Sequence, residues 1–234
     1  MAKGRLIGVG TGPGDPELVT RKAWLAVQSA HVIAYPAPDS GVSFSRTIVA
    51  DAISADVMEI PMVVPMRIGR APAQAIYDEG AKAISAQLDE GHDVVVLCEG
   101  DPLFYGSFMY ILSRLKDAYE VEIIPGITAM TACASAAHHP LVAREDMMTI
   151  LPATMPDALL KEAIAAAQGV AIMKVGRHIT RLRQLLDEMG LLEKTHYISH
   201  ASLPHQTICA LADAPTDAPY FSMILLYKGK DEWL

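Results

Sequence analysis

The sequence predicts an α/β protein built mostly on parallel strands, and three observations carry that expectation. Short apolar, β-branched runs alternate with helical patterns over brief connections, as strands linked through helices do. One run, Asp93–Leu97 (DVVVL), is almost wholly apolar, as suits a strand covered on both faces. The last two strands, Gln206–Leu211 and Tyr220–Tyr227, have no helix between them, which adds antiparallel members and a mixed sheet. A chain of 234 residues holds one large or two modest domains. A soft boundary near residue 122 divides it into 1–122 and 123–234.

In chain order, Arg5–Gly10 is a strand followed by a glycine- and proline-rich loop, and Thr20 caps a short helix over Arg21–Ser29. His31–Tyr35 is the second strand, ending at Pro36-Ala37-Pro38; Ser45–Ser54 is weakly helical and Val57–Ile60 is a third strand. Pro61–Pro72 holds three prolines with Arg67 and Arg70, and reads as a loop lining something. Ala73–Glu90 is the clearest helix, with Ile76, Ala83, Ile84 and Leu88 on one face and Gly91 ending it. After Asp93–Leu97 comes a break at Gly100-Asp101-Pro102, then a helix over Ser107–Leu115 and a strand over Glu120–Ile124. Pro125-Gly126-Ile127-Thr128 turns into a helix over Ala129–Ala137. The remainder reads as Met147–Leu151 strand, Pro156–Ala167 helix, Gly169–Val175 strand, His178–Met189 helix and Thr195–Ser199 strand.

Composition bounds the function. A hydrophobic fraction of 51% with 20% charged residues describes a well-packed globular protein. The net charge of −8 leaves no global basic field for nucleic acid, so an anionic substrate must meet local arginines. Cys98, Cys133 and Cys209 form no CxxC pair, and their odd number argues against a disulfide framework. The opening MAKGRLIGVG enters a strand without an apolar signal segment, and no apolar run reaches the ~20 residues of a bilayer span. The expectation is a cytoplasmic protein with no membrane partner.

The stretch Leu97–Ser107 concentrates the chemistry. Asp101 follows a buried strand, and open α/β sheets bind ligands beyond the carboxyl ends of their strands. Gly8, Gly10, Gly12 and Gly14 suggest a dinucleotide or phosphate loop, but the details disagree. No Gly-Lys-Ser/Thr is present, Pro13 and Pro16 remove amide donors, and the second strand ends in Tyr35-Pro36 instead of a ribose-binding acid. His196 and His200 stand four apart on a strand, which is not helical metal-ligand spacing. His138 and His139 suit a helix end or solvent, and Met62, Met66, Met147 and Met148 suit core or pocket filling. No metal site is expected.

Three motifs together resemble the tetrapyrrole methylase family: Gly8–Thr20 (GVGTGPGDPELVT), Glu99–Gly106 (EGDPLFYG) and Pro125–Ala129 (PGITA). They occur in the family's order, and the resemblance spans essentially the whole chain. Within the family, Ile33–Pro36 (IAYP) and Cys98–Tyr110 (CEGDPLFYGSFMY) are most similar to members that methylate carbon 20 of precorrin-2 in cobalamin synthesis. The resemblance implies two α/β domains with S-adenosylmethionine between them, a tetrapyrrole-binding trough in the first domain, and a homodimer. It implies cofactor contacts at Pro13, Glu99, Gly100, Asp101, Phe104, Thr128 and Ala129, and further ones at Met173 and Ala201. Where uroporphyrinogen methylases carry an aspartate thought to act as base, this chain has Pro36, which takes no proton.

The chemistry expected is in-line attack of an electron-rich ring carbon on the donor methyl, a reaction that asks mainly for alignment and exclusion of water. Pro36, Met62, Met66 and Phe104 would rim the apolar cleft. Arg67 and Arg70, with Arg46 and Arg144 behind them, are candidates for the substrate's carboxylates. Glu99 and Tyr105 are the weak candidates for a base. The open alternatives are a cobalt-containing acceptor, another methylase of the family, and a nucleotide-dependent oxidoreductase built on the glycine loop.

Overall fold

A computed structural model describes residues 2–39, 41–64 and 71–229, with the backbone alone for 71–73. The chain forms two compact units, Met1–Thr128 and Ala129–Leu234. The first contains β1 (Leu6–Gly10), α1 (Arg21–Gln28), β2 (Val32–Pro38), α2 (Phe44–Ile48), β3 (Met58–Val64), α3 (Ala71–Asp89), β4 (Val94–Cys98), α4 (Phe108–Leu115) and β5 (Val121–Ile124). Its strands lie in the order β3-β2-β4-β1-β5, all paired parallel. Because β5 is hydrogen-bonded along β1, the unit ends after Thr128, downstream of the boundary near residue 122 expected from the sequence.

Alternation along the strands sends neighbouring residues to opposite faces. Leu6, Ala34, Val94, Val96 and Cys98 pack with Tyr77, Ile84 and Leu88 of α3 and with Phe108 and Ile111 of α4. Ile7, Val9, Ile33, Val95 and Leu97 pack on the other face with Ala23 and Val27 of α1 and Ile48 of α2. Thus β1 and β4 are neighbours, but the helices that follow them cover opposite faces. That is a topological switch point, the place where open α/β sheets bind their ligands beyond the strand ends.

The elements follow the sequence pattern, with instructive differences. Thr20 caps α1, its hydroxyl accepting from Ala23 N at 3.2 Å. Two strands run further than expected, through Pro36 and Pro38 in β2 and Pro61 in β3. Pairing of β2 to β4 stops at Ala34 and β3 is an edge strand, the places where a strand tolerates a missing amide donor. The buried face of α3 is Tyr77, Ala81, Ile84 and Leu88; Ala83 faces outward and Ile76 is only partly buried. Gly91 ends the helix with φ +90°.

The second unit holds α5 (Ala129–Ala136), β6 (Met148–Pro152), α6 (Asp157–Ala166), β7 (Gly169–Met173), α7 (Ile179–Glu188), β8 (Thr195–Ser199), β9 (Thr207–Ala210) and β10 (Ser222–Tyr227). Its sheet is mixed, in the order β6-β7-β10-β8-β9, with β6 parallel to β7 and β10 antiparallel to both β7 and β8. Its core joins Leu160 and Ile164 of α6 and Leu182, Leu185 and Leu186 of α7 to Ile172, Tyr197 and Ile224 of the sheet. Among the described residues no helix is long and apolar enough to cross a membrane.

Candidate functional site

At the switch point three loops meet backbone to backbone. Thr11 is fully buried, and its amide and hydroxyl both donate to the Cys98 carbonyl, at 2.9 and 3.2 Å. Gly12 and Gly100 then exchange two hydrogen bonds, at 3.2 and 2.8 Å, tying the loop after β1 to the corner after β4. Gly100 has φ +64°, a conformation that a side chain disfavours. The turn after β5 closes the third side: a Cβ on Gly126 would lie 2.0 Å from the Gly100 oxygen, and one on Gly10 would lie 2.6 Å from Gly126 N. The glycines of the first motif therefore make a close backbone junction.

Asp101 sits in this junction and is half-buried. Its Oδ1 accepts from Leu103 N at 2.9 Å and its Oδ2 from Gly126 N at 3.1 Å. Glu99, one glycine away, is also half-buried, and burial pushes its carboxyl up from the ordinary value. Phe104 is half-buried and meets the Tyr105 ring edge-on at 5.3 Å; Tyr105 itself is 45% exposed with φ 55°. Pro13 is half-buried in the first loop, and Thr128 immediately precedes α5, which begins at Ala129.

The corner is braced from the α3–α4 side. Cys98 is buried beside the start of α4, its sulfur 3.8 Å from the Ser107 hydroxyl. Burial pushes the Cys98 thiol up, opposed by the Phe108 and Ser107 amides that bond to the sulfur. Cys98 thereby serves the helix end that Ser107 does not cap. Tyr77, pushed up to about 12 by burial, hydrogen-bonds to Ser107 and meets the Tyr110 ring at 4.9 Å. Tyr77 was missed in the sequence; the spacing of Tyr77, Ala81, Ile84 and Leu88 is the signal that finds it.

Two other expected site residues belong to the second unit. Met173 ends β7, opposite Met223 of β10 and Pro152 of β6. Ala201 is buried just past β8, between His200 and Ser202, both at positive φ. In that unit His139 and His196 meet at 4.8 Å and His200 meets His205 at 4.4 Å. The helix-end reading of His138 and His139 holds in the backbone: past the positive φ of His138, the His139 amide donates to the Ala134 carbonyl at 3.0 Å and closes α5.

The arginines divide sharply. Arg67 and Arg70, with Met66, lie outside the described residues. Arg46 is not available for a substrate acid: its Nε and Nη2 donate to Glu59 Oε2 and Oε1, both at 2.7 Å, and the Tyr35 hydroxyl donates to Glu59 Oε2 at 2.5 Å. Arg144 lies exposed in the second unit. Pro36 is half-buried opposite Met62, but Met62 is a core residue packed where Gly80 leaves room, not part of an open rim.

The hydrogen bonds from Arg46 hold the Glu59 carboxyl at about 2, below its ordinary 4.5, against the opposing effect of burial. A carboxylate with a depressed folded pKa stabilises the fold above its ordinary pKa and loses that effect as pH falls through the depressed value. The window therefore runs from about 4.5 down to about 2. The full shift corresponds to roughly 3 kcal/mol. The two side chains are 31% and 27% exposed, and solvent screening reduces the contribution to about 1–2 kcal/mol. Glu59→Gln is expected to lose that much at pH 7 and to converge with the parent toward pH 2, as read by urea unfolding across pH.

The profile of a family described as Tetrapyrrole (Corrin/Porphyrin) Methylases matches residues 5–214. The precorrin-2 C(20)-methyltransferase of Sinorhizobium sp is 42% identical over 237 residues, covering 97% of each chain. The cobalt-precorrin-2 C(20)-methyltransferase of Salmonella typhimurium strain LT2 is 30% identical over 229 residues, covering 96% of this chain and 97% of that one. Among solved structures, uroporphyrin-III C-methyl transferase from Thermus thermophilus, complexed with S-adenyl homocysteine, shares the fold with a TM-score of 0.66 at 22% identity. That match covers 95% of this chain and 97% of the other.

Proposed function

The chain belongs to the tetrapyrrole methylase family and is a methyltransferase, and on that premise we propose that it transfers the methyl group of S-adenosylmethionine to carbon 20 of precorrin-2. The product would be precorrin-3A in cobalamin biosynthesis, and the family resemblance carries with it a homodimer. The observation that supports this most strongly is end-to-end identity of 42% to a precorrin-2 C(20)-methyltransferase. The lower identity of 30% to the cobalt-precorrin-2 enzyme favours a metal-free acceptor.

The residues at the switch point suit such a donor. Among the described residues no cation pairs with Glu99, which leaves a carboxylate for a positively charged ligand. Thr128 stands at the amino end of α5, where a ligand carboxylate is favoured. When bound, S-adenosylmethionine supplies an already activated methyl group. The chain's part is to align, and alignment contributes roughly 7–11 kcal/mol in favourable cases. The interlocked backbones of Gly10, Gly12, Gly100 and Gly126 give the corner the rigidity that alignment needs. Phe104 adds an apolar, half-buried ring beside it. Arg67 and Arg70 remain the proposed partners of the substrate carboxylates, on the sequence alone.

Anaerobic incubation with precorrin-2 and with cobalt-precorrin-2, each with S-adenosylmethionine, separates the two acceptors. Mass spectrometry is expected to show one added methyl, formed faster on the metal-free ring. Faster transfer to the cobalt complex would assign the chain to the other acceptor. Transfer to neither would overturn the proposal.

A further inference from the structure

We propose that Tyr35, held by Glu59 and Arg46, is a positioning residue for the methyl acceptor: the three side chains fix a proline-rich, two-stranded arm on which the acceptor rests. The inference deepens the reading above, in which the acceptor is a tetrapyrrole and Pro36 is one of its contacts. Past Ala34, β2 loses its pairing with β4 and runs on beside β3 alone, Tyr35–Pro38 in register with Pro61–Val64. The two strand ends thus leave the sheet as a ribbon, at the carboxyl ends where open α/β sheets bind ligands. Pro36, Pro38 and Pro61 have no amide hydrogen, so the ribbon's own ladder is short of donors. Two strands alone are only marginally stable. Side chains must supply the rest.

They do so from both faces. On one, Met62, opposite Pro36, fills the room that Gly80 of α3 leaves. On the other, Tyr35 is buried and its hydroxyl donates to Glu59 Oε2 at 2.5 Å. Arg46 of α2 donates to both oxygens of the same carboxylate, each at 2.7 Å. These bonds run from α2 through β3 to the residue directly before Pro36. Burial, and then the bond to Glu59, pushes the Tyr35 hydroxyl up from its ordinary value, so it stays protonated as the donor at neutral pH. The charge balance suits an acceptor rich in carboxylates. Arg46 compensates Glu59, which would otherwise repel those groups, and the arm's exposed surface includes the apolar Pro61 and Val63.

Tyr35→Phe decides the matter, because it keeps the ring and the Arg46–Glu59 pair and removes only the hydroxyl. Anaerobic initial rates are measured with precorrin-2 varied at saturating S-adenosylmethionine, beside calorimetric binding of S-adenosylhomocysteine. The variant is expected to raise KM for precorrin-2 by roughly 3–10-fold and to keep the parent affinity for S-adenosylhomocysteine. Glu59→Gln, which removes the acceptor shared by Tyr35 and Arg46, is expected to shift KM in the same direction and repeats the measurement should Tyr35→Phe not fold. A merely structural role would lower the unfolding temperature and leave KM of the folded enzyme unchanged, so a parent-like KM overturns the proposal. Equal weakening of S-adenosylhomocysteine also overturns it, since the loss would not be confined to the acceptor. Should the cobalt complex prove the faster acceptor, it becomes the varied substrate. A parent chain that methylates neither ring overturns the functional reading itself, and this proposal with it.

Discussion

Gly126→Ala is expected to disable methyl transfer and to destabilise the fold together. The added Cβ would lie 2.0 Å from the Gly100 oxygen and 2.9 Å from Gly10 backbone atoms, so the opposing groups are main chain and have no rotamer to retreat into. Overpacking of this kind costs about 1–3 kcal/mol, which lowers the unfolding temperature by roughly 2–4 °C per kcal/mol in a chain of this size. Activity should suffer more than stability. The clash displaces the loops that hold Asp101 and Glu99, and a misplacement of about 1 Å can reduce a rate on the order of 100-fold. Gly41→Ala is the control, since among the described residues its Cβ would meet only a Pro38 side-chain atom at 3.8 Å. Thermal unfolding and kcat/KM read side by side check both expectations.

Phe108→Ala is expected to have the largest effect on stability alone. The ring is 1% exposed at the first residue of α4 and fills the slot left by the missing side chain of Gly8, whose Cβ would lie 2.6 Å from it. Truncating a buried phenylalanine costs about 3–5 kcal/mol. Gly8→Ala alone should also destabilise, because the ring cannot be displaced without moving α4. In the double variant the new methyl enters space that the ring has left, so the two losses should be less than additive. Urea unfolding of the two single variants and the double variant measures that coupling.

Much of this arrangement was legible in the sequence because local chemistry set it. Thr20 caps α1 as its hydroxyl allows, Gly91 ends α3, and the apolar run before Glu99 is the central strand. What was not legible depended on neighbours distant in sequence. Pro36, Pro38 and Pro61 read as strand breakers, and only the one-sided pairing of β2 and the edge position of β3 accommodate them. Arg46 looked free for a substrate because its partner Glu59 lies on another element. The bond from the Gly126 amide to Asp101, 25 residues apart, gives no sign in a one-dimensional pattern. Met62 was read both as core filler and as rim; Gly80 makes room for it in the core, so the first reading holds and the second does not.

The glycine loop illustrates the same point from the other side. Gly10 and Gly12 were read against a phosphate-binding motif, and the missing lysine and the prolines at 13 and 16 argued against it. In the folded chain these glycines permit backbone contact with Gly100 and Gly126. Their spacing is therefore explained without any phosphate ligand, and the nucleotide-dependent oxidoreductase loses the feature that suggested it.

The central claim, methyl transfer to carbon 20 of precorrin-2, is tested most directly by carbon NMR of the product formed anaerobically from precorrin-2 and methyl-¹³C S-adenosylmethionine. A single enriched methyl resonance, with the label bonded to carbon 20, is the predicted result. A label on any other ring carbon would keep the family but contradict the assigned position.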